Sequence, residues 1–75
     1  MKFIKLWAFY TDPEDEFITY LNVGTISAID DDEYKGELIT EITIGDGIIR
    51  THEAADHLAQ RINNGRYMDF EEDDK

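Results

Sequence analysis

The stretch that most constrains this chain is Lys2 to Tyr10, where aromatic and β-branched residues predict a strand that is apolar on both faces. Ile4, Leu6 and Ala8 fall on one side and Phe3, Trp7 and Phe9 on the other, so the strand needs cover from two directions. A chain of 75 residues has room for one domain, burying roughly 60% of its unfolded surface. One helix covers one face only. The second cover is expected from Tyr67, Met68 and Phe70 folding back, or from a second copy in a homodimer.

The remaining pattern continues in strands. Thr11 to Asp15 reads as a turn, with Pro13 fixing φ and Asp12 able to close an Asx-turn. Glu16–Val23 and Thr25–Ile29 read as strands meeting at Gly24, a bulge or bend that would make them one long bent strand. Asp30 to Gly36 is expected to be a loop, because four adjacent carboxylates repel one another in a regular element. Glu37–Ile44 alternates, with Leu38, Thr40, Ile42 and Ile44 on one face and Glu37, Ile39, Glu41 and Thr43 on the other. Gly45-Asp46-Gly47 is a hairpin turn into a return strand beginning at Ile48.

Thr51 is the expected N-cap of a helix, with Glu53 in its first turn. Ala54, Ala55, Leu58, Ala59 and Ile62 make the apolar stripe, and Gly65 closes the helix in a left-handed C-cap. The expected fold is therefore α+β: four to five antiparallel strands, flat or closed into a partly open barrel, with one C-terminal helix. Residues 1–70 form the domain and 71–75 an acidic, disordered tail.

Charge narrows the partners. Eighteen acidic against seven basic residues give a net charge of −11, yet 41% hydrophobic and 12% aromatic residues supply a core and argue against wholesale disorder. Such a chain is repelled by bare nucleic acid and by anionic membranes, and is steered toward a basic surface. The apolar start is too short for a membrane helix or a signal peptide and is interrupted by acidic residues. The absence of cysteine excludes disulfides, thiolate metal sites and a cysteine nucleophile, and predicts a cytoplasmic protein.

Catalytic material is scarce. Ser27 is the only serine and has no signature around it. Gly45-Asp46-Gly47 lacks the G-x-x-x-x-G-K that a phosphate loop requires. His52-Glu53-Ala54-Ala55-Asp56-His57 approaches a zincin helix, but the second histidine comes one residue late; two i,i+4 pairs on a solvated helix face, His52–Asp56 and His57–Arg61, explain it. Counting from Asp30, Asp32 is third and Glu41 twelfth, as in a calcium loop, yet Lys35 stands where that loop needs glycine. No cofactor and no dedicated metal site are expected, and the chain reads as non-enzymatic.

From Phe17 to Ile62 the layout resembles the short FlbD-type proteins of bacterial flagellar gene clusters and similar small phage and prophage proteins. The resembling residues are Asn22, Ile26 and Ile29, then Ile39 to Ile44 and Gly45, then Ile48-Ile49 leading to Glu53 and Ile62. The resemblance implies a strand–turn–strand–helix order and no catalytic residues. This chain departs from the pattern by its acidic segment Asp30–Glu33 and its acidic tail.

These readings predict a small bacterial or bacteriophage accessory protein that binds, and in doing so inhibits, a partner with a basic surface such as a nucleic-acid-handling enzyme. The expected contacts are Asp31, Asp32, Glu33, Tyr34, Phe70, Glu71 and Glu72. In the sharper version its carboxylates imitate a nucleic-acid backbone. The alternatives are a small-ligand or ion-binding homodimer with Trp7, Tyr10 or Tyr20 lining the pocket, and a structural subunit of an assembly.

Overall fold

A computed structural model describes residues 2–65 together with the backbone of Met68 and Asp69. Its elements are β1 (Lys2–Ala8), β2 (Phe17–Asn22), a 3-10 turn (Val23–Thr25), β3 (Ile26–Tyr34), β4 (Glu37–Ile44), β5 (Gly47–Thr51), α1 (Ala55–Asn63) and the short β6 (Met68–Asp69). The fold is α+β, with antiparallel strands and one helix on the C-terminal side, as expected. The strands divide into two small sheets, ordered β2-β1-β6 and β3-β4-β5. The division falls just after β1, where Phe9 crosses over and exchanges backbone hydrogen bonds of 2.8 and 2.9 Å with Arg50 of β5.

The core sits between the sheets and the helix. Ile4, Leu6 and Ala8 of β1 pack with Leu21, Ile42, Ile49 and Leu58, with Phe17, Val23, Ile26, Ile29, Ile44 and Ile62 around them. Alternation explains the inner face of β1. The outer face differs from expectation: Phe9 is fully buried because it has left the strand, whereas Trp7 is 56% exposed. The expected cover by Tyr67, Met68 and Phe70 rests on side chains outside the described residues, as does the acidic tail.

Four expectations are corrected. The segment Asp30–Glu33 is not a loop; β3 runs through it to Tyr34, and the turn is the two-residue Lys35-Gly36. An extended strand sends successive carboxylates to opposite faces, and here all four are exposed, so water screens the repulsion that a more compact element would concentrate. The turn puts both central residues at positive φ, 52° for Lys35 and 83° for Gly36, the geometry that suits a two-residue hairpin. Thr51 is not an N-cap but the buried last residue of β5, and the helix starts four residues later, behind Ala54. His52 therefore precedes the helix rather than sharing a face with Asp56. Finally, Leu38 is 78% exposed and Ile39 buried, because the hairpin arm projects past the core while its other face meets the β1–β2 turn.

Other local readings hold. Glu14 N–H donates to Asp12 Oδ1 at 3.0 Å and Asp15 N–H to the Asp12 carbonyl at 2.9 Å, the Asx-closed turn around Pro13. Gly24 is a bend as expected, in the 3-10 turn with its N–H on Asn22 Oδ1 at 2.9 Å, but it does not join one long strand: β2 and β3 belong to different sheets, and the ladder irregularity lies between Ile26 and Ala28. Gly65, at φ 71°, donates to the Ile62 carbonyl and closes the helix.

Candidate functional site

Two of the three acidic runs meet at one end of the molecule. The β1–β2 turn brings Asp12, Glu14 and Glu16, and the β3–β4 hairpin brings Asp32, Glu33, Tyr34 and Glu37. Asp12, Pro13, Glu14, Tyr34, Lys35, Glu37 and His52 line one hollow of about 430 Å³. Thr11, Asp32, Glu33, Tyr34, Ile39 and Arg50 line a second, of about 220 Å³.

The convergence is fastened by two side chains from the end of the second sheet, His52 and Arg50. His52 Nδ1 donates to Glu16 Oε2 at 2.8 Å, its Nε2 lies 3.6 Å from Glu37 Oε1, and its ring packs against Phe9 at 5.1 Å between centroids. Arg50 Nη1 donates to the Tyr10 carbonyl while its Nη2 donates to Glu41 Oε2 at 3.2 Å. Tyr10 in turn packs against Phe17, ring centres 5.0 Å apart and the planes tilted by 37°. The turn is thereby tied to β4 and β5 from two sides. At the tip, Lys35 Nζ lies 5.3 Å from the centre of the Tyr34 ring.

Of the expected contact residues, Asp31, Asp32 and Glu33 are exposed on β3 and Tyr34 is half-buried at its end. Asp32, Glu33 and Tyr34 are brought together with the first acidic turn. Asp31 lies on the opposite face from Asp32, opposite Thr40 in the ladder, so the four strand carboxylates form two pairs and not one row. Phe70, Glu71 and Glu72 lie outside the described residues.

A third hollow, about 690 Å³, opens beside β1 and is lined by Lys5, Leu6, Trp7, Glu16, Thr51, His52, Glu53 and Arg61. Its charges are largely paired. Arg61 Nη2 donates to Glu53 Oε1 at 3.2 Å and to the Lys5 carbonyl at 3.1 Å, and its Nε lies 3.1 Å from Glu53 Oε2, which His57 Nδ1 also approaches at 2.7 Å. Glu53 thus joins His57 and Arg61, the i,i+4 pair expected from the sequence. Among the described residues no group of three or more His, Cys, Asp or Glu side chains is placed to hold a metal ion. No helix in that part is long and apolar enough to cross a membrane.

Sequence reasoning missed the Glu16–His52–Glu37 linkage and the Glu53–Arg61 pair at the floor of the large hollow. Glu16 and His52 are 36 positions apart, and no local spacing signals them. Comparison with protein-family models, curated proteins and solved structures finds no match. The likeness to FlbD-type proteins therefore stands on its residue pattern alone.

Proposed function

We propose that this chain is a small acidic binding protein, not an enzyme, whose acidic end docks on the basic surface of a partner protein. The observation that carries the reading is the meeting of the Asp12–Glu16 turn with the Asp32–Glu37 hairpin end, held by His52 and Arg50. Carboxylates fixed on paired strands and a closed turn lose little freedom on docking, and their summed field raises the encounter rate with a cationic surface. Tyr34, half-buried between the two acidic groups, supplies an aromatic anchor.

A sharper version is imitation of a nucleic-acid backbone. Successive β3 carboxylates advance ~3.3 Å per residue, close to the ~3.4 Å charge spacing along one strand of duplex DNA. Against that, they alternate between two faces.

The test compares capture of cellular proteins by the tagged chain and by an Asp31→Asn/Asp32→Asn/Glu33→Gln variant, washed at low and at high salt. The expected result is one basic protein held by the parent chain at low salt, released at high salt and not held by the variant. Equal capture by both chains would overturn the reading. A second reading, a small-ligand site, is favoured by the large hollow beside Trp7, whose volume lies in the range of roughly 300–1,000 Å³ usual for ligand sites. Trp7 is the only tryptophan, so its fluorescence on titration with a panel of small ligands decides that reading directly.

A further inference from the structure

The outer strands of the two sheets are defended unequally. β3 carries Asp30, Asp31, Asp32 and Glu33 along its edge, β5 is five residues long and holds Arg50, and β6 has two residues. β2 is also outermost in its sheet, yet Phe17-Ile18-Thr19-Tyr20-Leu21-Asn22 contains no charge and no proline, and its register with β1 runs unbroken from Phe3↔Asn22 to Ala8↔Phe17. It is the one strand among the described residues without a charged side chain. Edge strands of soluble proteins usually carry a charge, a proline or a bulge that blocks pairing with another chain.

We infer that β2 is the pairing edge of a symmetric homodimer, in which it meets β2 of a second copy antiparallel. The direction of the main chain supports this. Phe9 exchanges its backbone hydrogen bonds with Arg50, and the carbonyls of Lys5 and Trp7 accept from Arg61 and Thr51, so the odd residues of β1 face away from β2. The β1–β2 ladder then runs through Ile4, Leu6 and Ala8, opposite Leu21, Thr19 and Phe17. The alternate residues of β2, Ile18 and Asn22 among them, turn their backbone outward, the Asn22 carbonyl also accepting from Thr25 Oγ1 at 2.8 Å. A two-fold axis at the middle of the strand sets Ile18 of one copy opposite Asn22 of the other and makes a continuous β1-β2-β2-β1 sheet. On its outer face Ile18, 43% exposed, is the cross-strand neighbour of Trp7, 56% exposed, and across the junction this pair meets Asn22 of the second copy, whose own neighbour in β1 is Phe3.

Charge selects a second copy as the occupant. Two chains of −11 repel each other over most of their surfaces, and they approach at least cost where neither presents a carboxylate. Antiparallel pairing also sends the two Asp12–Glu16 turns to opposite ends of the new sheet. A partner with a basic surface is drawn to the acidic end instead. The dimer does not depend on that partner, and it leaves both acidic ends open. One strand with its flanking side chains buries less than the ~800 Å² per partner of a standard interface, so the association is weak, with dissociation in the micromolar range.

Sedimentation of the full chain between about 5 and 500 µM, at about 50 and 500 mM salt, tests the inference. The average mass should rise with concentration from 8.7 kDa toward twice that value, and more readily at high salt, where repulsion is screened. Ile18→Lys should weaken association by about tenfold or more, the effect of an unpaired charge on a pairing edge. Ile48→Lys, at a site 44% exposed on the other sheet, should leave it unchanged. A monomer at every concentration and both salts, or a dimer that survives Ile18→Lys, overturns the proposal. Binding at the acidic end weakens with salt while self-pairing strengthens, so failure of one is distinct from failure of the other.

Discussion

Replacing Thr51 by valine keeps the shape of the side chain and removes two hydrogen bonds at the seam between the sheets. The Thr51 hydroxyl donates to the Trp7 carbonyl at 2.7 Å and accepts from the Glu53 N–H at 3.2 Å, and the residue is only 2% exposed. Valine leaves one carbonyl and one N–H without that partner in a largely dry position. Each such loss costs about 1–3 kcal/mol, and the Glu53 bond is long, so the expected destabilisation is about 2–4 kcal/mol. A chain of this length has roughly 4–11 kcal/mol in total, so the change is large. In urea, with a slope near ~1 kcal/mol/M for so small a protein, the midpoint should fall by about 2–4 M. Trp7 sits at the acceptor carbonyl, and its fluorescence reports the transition. Thr51→Ser keeps the hydroxyl and should cost about 1 kcal/mol or less. If valine is tolerated as well as serine, the seam is not held by this hydroxyl and the reasoning fails.

The same seam and the core give three further expectations. Thr40, the cross-strand neighbour of Thr51, donates to the Glu53 carbonyl at 2.6 Å, so Thr40→Val should cost about 1–3 kcal/mol and combine non-additively with Thr51→Val in double-mutant denaturation. Leu58 is the fully buried residue that seats α1 on the sheets, and Leu58→Ala should cost about 2–5 kcal/mol with loss of helical circular dichroism near the transition. Asp30 lies directly opposite Glu41, a like-charge pair in the ladder, so Asp30→Thr should raise the thermal midpoint by the equivalent of about 0.2–1 kcal/mol. An unchanged or lower midpoint would show that Arg50, on the other side of Glu41, already neutralises the pair.

The fold class was legible in the sequence because the aromatic and β-branched run of β1, the period-two alternation of β4, the Gly45-Asp46-Gly47 turn and the helical stripe ending at Gly65 are local signals. The split into two sheets was not, since it depends on Phe9 leaving β1 to pair with Arg50, 41 positions away. Reading Asp30–Glu33 as a loop treated repulsion as if water were absent, whereas an exposed extended strand separates and solvates the charges. Thr51 was an attractive cap by residue type, but its hydroxyl is taken by the Trp7 carbonyl, a tertiary contact no local pattern encodes. Of the site, the residues Asp32, Glu33 and Tyr34 were legible as a charged run. Their meeting with Asp12 and Glu14 through His52 was not.

The central claim is that the acidic end is the docking surface, and amide chemical-shift mapping tests it most directly. The isotope-labelled chain would be titrated with the basic protein captured at low salt. The account predicts shifts confined to residues 11–16 and 30–37, reversed by salt. A footprint on β2 or around Trp7 with the acidic end unmoved would contradict it.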